Sequence, residues 1–203
     1  SGSFPENIRE QFKAMLSYYG QSPIIVRSSS FLEDGFGNAF AGKYESVFCV
    51  NFGPLEKRLA AFEDAVRKVY ASTMDISALE YRLQRGLEKK DEQMSILVQR
   101  VSGSWAGPYY LPGVAGVGYS RCLYKTSHDA DPTAGMLRLV VGLGTKAVDR
   151  TEDDYPRLVN LDRPAARTHA NVADMHRFSQ HNVDVIDRER MAFRSVRMDE
   201  MHH

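Results

Sequence analysis

Residues 23–50 combine residue types that are suited to binding phosphate. An apolar run from Ile24 to Val26 is followed by Arg27 and three serines, then by a glycine-bearing loop that reaches Gly42, and then by a β-rich run from Tyr44 to Val50. Glycine lets the backbone approach an anion closely, loop N–H groups can donate to it, and the planar guanidinium of arginine donates to two phosphate oxygens at once. The stretch therefore predicts an anion site in a loop between two strands.

Two other interpretations of this loop compete with that prediction. Gly37 to Lys43 spells G-x-x-x-x-G-K, as in a P-loop, but Tyr44 stands where a Ser or Thr hydroxyl should reach Mg²⁺. A strand-forming run also follows, where a P-loop requires a helix, so the context disfavours this motif. The glycines and Asn38 are equally typical of a hairpin loop that only turns the chain, and this alternative stays open.

Four motifs occur in the order and at about the spacings of one known family. They are Val26-Arg-Ser-Ser29 with Glu33-Asp34, Phe40-Ala-Gly42 and Ser46; Ala78-Leu-Glu-Tyr81-Arg82 with Gly86; Ile96-Leu-Val-Gln99; and Gly142-Leu-Gly144. Across residues 21–165 the chain resembles the nucleotide-binding domain of phosphoenolpyruvate synthase and pyruvate phosphate dikinase. Four ordered motifs are much more specific than any one of them.

The resemblance implies an α+β, ATP-grasp-like fold, with helices packed on mixed or antiparallel sheets in two lobes, here incomplete. We expect the lobes at about 21–92 and 93–165. Residues 1–20 would comprise a remnant of the expression vector and an N-terminal helix. Apolar residues are sparse in 166–203, which predicts a polar tail that is helical or partly disordered.

The resemblance also implies ATP and Mg²⁺ as cofactors and assigns a role to four residues. Arg27 would hold the β- or γ-phosphate as the catalytic cation, and Gly42 would offer its backbone to the phosphates. Ser46, where the family commonly has Thr, would donate its hydroxyl to a phosphate oxygen. Gln99 would meet the adenine edge; the alternative is an amide at a strand end that bonds to backbone. No metal ligand is assigned.

In this family ATP phosphorylates a histidine on a swivelling domain, which hands the phosphoryl group to pyruvate or another acceptor. Related enzymes act on glucans or on rifamycin antibiotics. The expected partners are therefore ATP and the phosphohistidine and acceptor domains of the same parent chain. The family's N-terminal phosphate-binding Lys, its late E-(x)-Q-x-R segment and its phosphohistidine loop have no counterpart here. We therefore expect a piece of a larger enzyme that is inactive alone.

The segment after residue 141 supports two further alternatives. The family usually has Glu and a later Gly where this chain has Thr145 and Arg150, which fits a degenerate nucleotide sensor or scaffold without catalysis. Gly142 to Ala147 also spells the G-x-G-x-x-A of a dinucleotide site, with Asp162 at about the distance of a ribose-binding acid. Thr145 to Pro156 lacks the apolar stripe of the required helix, which disfavours that site.

Apolar periodicity predicts three helices and a β-rich second half. One helix begins at Pro5 and ends at Gly20, with a stripe of Ile8, Phe12, Met15, Leu16 and Tyr19. A second follows Pro54, with Leu55, Leu59, Phe62, Val66, Val69 and Tyr70 in the core, and a third runs from Asp75 to Gly86. Strands are expected at 96–101, 114–119 and 137–141, and residues 102–113, with Trp105 as a packing anchor, should form a loop.

Composition excludes several classes of function. The 203 residues are 43% hydrophobic and 26% charged, and Lys+Arg and Asp+Glu both count 26, so no global charge attracts nucleic acid or an acidic membrane. The cysteines, Cys49 and Cys122, are expected to be reduced and buried, which suits the cytoplasm. No apolar run has the length of a membrane span. Five of the six histidines lie after residue 166, but their spacing matches no metal motif.

Overall fold

The computed structural model describes residues 2–30, 33, 44–87, 89, 91, 93–122, 131–148, 154–166 and 171–202. The chain divides into two compact units. Unit 1 contains Ser1–Val101 with Arg188–Ala192, and unit 2 contains Ser102–Asp187 with Phe193–His203. Both contain antiparallel strands and helices, so the fold is α+β, as predicted. Among the described helices, none has the length and apolar character needed to cross a membrane.

Unit 1 is a three-stranded antiparallel sheet with helices packed on one face. Its elements are α1 (Glu6–Tyr19), β1 (Ile24–Ser30), β2 (Ser46–Cys49), α2 (Leu55–Ala71), a 3₁₀ turn (Ser72–Met74), α3 (Ile76–Gln84) and β3 (Met94–Arg100). β1 is the central strand and pairs with both β2 and β3. The core of unit 1 is formed by Leu16, Ile24, Val26, Cys49, Leu59, Phe62, Ala65, Val66 and Val69.

Local signals set the helix ends in unit 1. Pro5 and Pro54 occupy the N-cap positions of α1 and α2, and Gly20 ends α1 with a φ of 61°. Gly86, with a φ of 64°, follows α3, and the Leu87 N–H donates to a carbonyl five residues earlier. The three predicted helices are thus confirmed. Tyr70 is the exception within α2, because it is 45% exposed rather than part of the core.

Unit 2 contains two sheets. The elements are β4 (Ser104–Ala106), β5 (Tyr109–Leu111), β6 (Ala115–Tyr119), β7 (Met136–Val140), α4 (Thr145–Val148), β8 (Arg157–Asn160), α5 (Val172–Arg177), β9 (Asn182–Asp187), β10 (Ala192–Arg197) and a 3₁₀ turn (Met198–His202). One sheet has the order β10-β9-β5-β4 and the other β6-β7-β8. The β-rich character predicted for the second half is confirmed.

The interpretation of 166–203 as a polar tail is wrong for β9 and β10. Val183, Val185 and Ile186 of β9 are fully buried, and β9 lies in the interior of its sheet. The prediction of a polar segment arose because the same strand contains two acidic residues, Asp184 and Asp187. Both are buried and paired with cations, Asp184 with Lys146 and Asp187 with Arg194, so their charge is compatible with a core strand.

Three smaller predictions also need correction. Residues 102–113 are not only a loop, because β4 and β5 pair as a hairpin in which Trp105 lies across from Tyr110 with ring centroids 5.1 Å apart. β3, expected to open the second lobe, pairs with β1 and belongs to unit 1. Cys49 is buried, and burial raises the pKa of its thiol to about 11, whereas Cys122 is only partly buried.

A buried charge cluster of Lys146, Asp154 and Asp184 joins separate segments of unit 2. The Lys146 ammonium lies 3.0 Å from an Asp154 oxygen and 3.6 Å from an Asp184 oxygen. Asp154 also accepts from the backbone N–H groups of His181 and Asn182, at 2.7 and 2.8 Å, and from the Asn182 amide at 3.0 Å. The cluster therefore ties α4 and the segment before β8 to the start of β9.

The acid stability of unit 2 should depend on Asp154. Burial acts to raise the pKa of this carboxyl, but hydrogen bonds from Asn182, Lys146 and His181 outweigh burial and hold the pKa at about 2. An unfolded Asp titrates near 3.9, so the carboxylate contributes about 2–3 kcal/mol of stability above that pH, which is lost as pH falls from about 5 towards 2. We expect Asp154→Asn to be less stable at pH 7 and to show a shallower acid dependence in urea unfolding.

The matched control for this experiment is Asp199→Asn. Asp199 pairs with Arg197 on the surface, where solvent screens the interaction, so its removal should change the acid dependence little. An acid dependence of Asp154→Asn as steep as that of the parent would contradict the assignment.

Close packing around Gly142 gives a second prediction. Gly142 has a φ of 94°, and a Cβ there would lie 2.6 Å from the Asp184 carbonyl oxygen and 2.7 Å from a Val183 methyl. Gly107, with a φ of 58°, has open space around the same position. Both Gly→Ala variants incur backbone strain, but Gly142→Ala should lower the free energy of unfolding by about 1–3 kcal/mol more, because it also overpacks. Equal losses in denaturant unfolding would show that β9 shifts to make room.

Candidate functional site

The sheet β2-β1-β3 has one face that the helices of unit 1 leave uncovered, here called the open face. Side chains alternate along a strand, so the apolar core residues of β1 point one way while Arg27 and Ser29 lie on the open face. Ser46 of β2 is directly across from Arg27, and Ser95 of β3 is directly across from Ser29. Directly opposed Cβ atoms are about 4.5–5.5 Å apart, so Ser46 is the nearest hydroxyl residue to Arg27, and Ser29 and Ser95 lie one residue pair further along the same face.

The other half of the open face is mainly apolar. Leu97 of β3 lies across from Arg27 and is 43% exposed, while Ile25 is flanked by Phe48 of β2 and Gln99 of β3. Ile25 and Phe48 are half-buried, and Gln99 is exposed. This half therefore offers a surface for a flat apolar group, with an amide at its edge that can both donate and accept hydrogen bonds.

Three of the four predicted site residues are brought together by the strand register. Ser46 is opposite Arg27, and Gln99 is diagonal to Arg27 across the β1–β3 ladder, a separation of about 7–8 Å. Gly42, the fourth residue, lies outside the described residues, as does most of its loop. The sequence analysis assigned no separate role to Ser29 or Ser95, which lie on the same face. Ser29 could have been found from its position two residues after Arg27 in a strand.

Two of the serines after Arg27 have a structural task instead. The Ser28 hydroxyl donates to a Glu33 carboxylate oxygen at 2.8 Å, and the Ser30 N–H donates to the other oxygen at 3.1 Å. The Glu33 N–H in turn donates to the Ser30 hydroxyl at 3.2 Å. Both serines are on the helix-facing side of β1, where they fix the chain at the strand end. They are therefore separate from the hydroxyls of the open face.

Arg27 is available for an anion. It is exposed, and none of the ion pairs among the described residues involves it. Ser46 lies directly across from Arg27 on the same face. A planar fork with adjacent hydroxyls is a suitable arrangement for phosphate oxygens.

The two rival phosphate motifs do not have the surroundings they require. The segment after Lys43 forms β2, not the helix of a P-loop. β7, which precedes Gly142, is antiparallel to both β6 and β8, whereas a dinucleotide-binding unit needs parallel strands joined by a crossover helix. The helix that follows is a single turn, α4.

The Gly142-Leu-Gly144 turn is bound within unit 2. The Leu143 N–H donates to the Asp184 carbonyl at 3.0 Å, and the Thr145 hydroxyl donates to the Asp184 carboxylate. Thr145 occupies the position at which the resembling family usually has Glu. In this chain the turn therefore has a structural role that fixes it to β9.

The described residues do not supply a ready metal cluster. Within the described ranges no group of three or more His, Cys, Asp or Glu side chains converges. His128, His169 and His203 lie outside those ranges. A Mg²⁺ ion, which prefers carboxylate and phosphate oxygens in octahedral geometry, has no carboxylate set here, so no protein ligand is assigned to it.

One family model matches almost the whole chain. The model of the family "Pyruvate phosphate dikinase, AMP/ATP-binding domain" matches residues 1–201. A search of curated proteins finds no match to the sequence. The match includes β9 and β10, beyond the range covered by the four sequence motifs. The chain belongs to the family of the pyruvate phosphate dikinase AMP/ATP-binding domain.

Proposed function

We propose that the open face of the β2-β1-β3 sheet binds ATP, and that the chain is the ATP-binding portion of a dikinase of the phosphoenolpyruvate synthase and pyruvate phosphate dikinase type. The observation that carries this proposal is the register, which sets Arg27, Ser46 and Gln99 on the one face of the sheet that the described helices of unit 1 leave uncovered. Membership of an AMP/ATP-binding family supports a nucleotide as the ligand.

The triphosphate would bind at the polar half of the open face. Arg27 would donate to two oxygens of the β- or γ-phosphate, and its permanent charge would offset part of the negative charge. Ser46, Ser29 and Ser95 would donate from their hydroxyls, and Gly42 would add backbone N–H groups from its loop. Mg²⁺ would enter with the triphosphate, which supplies the oxygen ligands that the described residues lack.

The adenine would bind at the apolar half. Phe48, Ile25 and Leu97 would contact its flat surface, and Gln99 would hydrogen-bond to its polar edge. Residues two apart along a strand point to the same face and lie roughly 7 Å from each other. Neighbouring positions of one sheet are thus compatible with different parts of the same nucleotide.

The whole-protein activity follows by analogy with the family. We propose that ATP bound here phosphorylates a histidine on a separate swivelling domain of the parent chain, which passes the group to pyruvate or another acceptor in the cytoplasm. Arg27 would stabilise charge on the phosphoryl group as it is transferred. The isolated chain, without those domains, would bind nucleotide but not turn it over.

A second function, a nucleotide sensor or scaffold without catalysis, is favoured by one observation. Thr145 replaces the family's usual Glu, and its hydroxyl is bound to Asp184 inside unit 2. Phosphohistidine formation in the full parent chain, measured with labelled ATP and a quench in base, separates the two functions. Stoichiometric label supports the dikinase, and nucleotide binding without label supports the sensor.

Arg27 should contribute to binding of both ATP and inorganic tripolyphosphate. Arg27→Met keeps the apolar stem and removes a charged donor, and a hydrogen bond to a charged group contributes about 1.5–3 kcal/mol. We expect both ligands to bind about 10–100-fold more weakly in titration calorimetry with Mg²⁺. Arg27→Lys should recover only part of the loss, because the ammonium lacks the planar fork.

Arg100→Lys and Arg100→Met are the matched controls for Arg27. Arg100 is also an exposed arginine of this sheet, but it lies across from the core residue Ile24, on the other face. Both control variants should bind ATP as the parent does. If Arg27→Met bound ATP with the parental affinity, Arg27 would not be part of the site. NAD binding as strong as ATP binding would contradict the choice of ATP as the nucleotide.

Gln99 should affect ATP but not tripolyphosphate. Gln99→Ala removes a neutral hydrogen-bonding group at the base, worth about 1 kcal/mol, so ATP should bind about 5-fold more weakly. Tripolyphosphate affinity should stay unchanged, since this ligand has no base. Equal weakening of both ligands would place Gln99 at the phosphates, and no change in either would mean that it is a strand-end amide without a ligand.

A further inference from the structure

Two histidine side chains meet on the surface of unit 2. His176 is at the end of α5 and His181 is immediately before β9, and their ring centroids are 5.0 Å apart with an interplanar angle of 53°. His176 is exposed and His181 is half-buried. The pair is therefore accessible to solutes, although the spacing of the histidines in the sequence suggested no metal motif.

The backbone of both histidines is held in place. The His181 N–H donates to Asp154 at 2.7 Å, and the His181 carbonyl accepts from the Met198 N–H at 2.8 Å. The His176 carbonyl accepts from the Ser179 hydroxyl at 2.8 Å, which closes the turn between the two histidines. This turn is also fixed where the Tyr155 and Phe178 rings pack edge to face at 5.3 Å. A ligand that contacts both rings would therefore have to order the two side chains but not the backbone.

The ring separation matches a shared metal ion. In a tetrahedral site each imidazole nitrogen lies about 2.0–2.1 Å from Zn²⁺, which sets the two ring centres roughly 5.2 Å apart. The observed 5.0 Å is within the scatter of that value. Imidazole suits zinc, copper and nickel, whereas Mg²⁺ prefers oxygen, so such an ion would differ from the one expected with ATP.

We infer that His176 and His181 form a chelating site for a borderline divalent transition-metal ion, with Zn²⁺ as the representative. Two imidazoles would bind the ion, and water would complete its coordination. Asp154 is not a third ligand, because its two oxygens already accept from Lys146, His181 and Asn182. Asp174, the acid on α5, accepts from the Asn171 amide at 2.8 Å.

The test is titration of the chain with ZnCl₂ by calorimetry, together with NMR of the imidazole resonances. We expect one site per chain in which both rings shift together, and weaker binding in acid, where protons compete for imidazole. His176→Gln and His181→Gln should each lower the affinity at least 10-fold. The double variant should lose much less than the sum of the two single losses, because the chelate is already broken by the first substitution.

Controls make the outcome specific to this pair. His128→Gln, elsewhere in the chain, should bind Zn²⁺ as the parent does. The folding of each variant is checked by thermal unfolding in EDTA, and His181→Asn replaces His181→Gln if the latter does not fold. Retained affinity in either single variant would overturn the inference. So would losses in the double variant equal to the sum of two independent effects, since that result describes separate surface histidines.

Discussion

The alternation of side chains along β1 is the constraint on which the rest of unit 1 depends. Ile24 and Val26 are fully buried against α1 and α2, and this fixes Arg27 on the opposite face. A shift of one residue would expose two core side chains, each worth about 1.5–3 kcal/mol, and would bury an unpaired guanidinium at a cost of several more. Packing on one face thus specifies the position of the candidate site on the other.

Unit 2 combines apolar packing with buried charge. β9 is buried on both faces yet carries Asp184 and Asp187, and each acid is held by a cation from another element. A buried ion pair adds little net stability compared with apolar residues, but the loss of one partner is costly. The buried charge cluster therefore fixes which segments lie together: Asp184 holds the Gly142 turn, and Asp154 orients the backbone entering β9.

The sequence predicted those features that depend on local signals. Pro5 and Pro54 marked the starts of α1 and α2, Gly20 and Gly86 marked the ends of α1 and α3, and the family motifs singled out Arg27, Ser46 and Gln99. Their shared face could not be read from the sequence, because the pairing of β1 with β2 and β3 is set by tertiary packing. β9 was not predicted because its acidic residues interrupt the apolar pattern. The β4–β5 hairpin was not predicted either, although Gly107-Pro108 between aromatic residues is a turn signal.

Charge on the open face limits how a nucleotide could bind there. On the described part of this face, Arg27 is the sole cationic side chain, and the chain as a whole has a formal net charge of +0. One guanidinium offsets only part of the charge of a triphosphate, and no overall field adds to the attraction. Recognition would then rest on short-range contacts: the fork of Arg27, the adjacent hydroxyls, and the apolar surface beside Gln99. Such contacts depend on a fixed strand register more than on a large charge. The packing of the buried side of β1 supplies that fixed register.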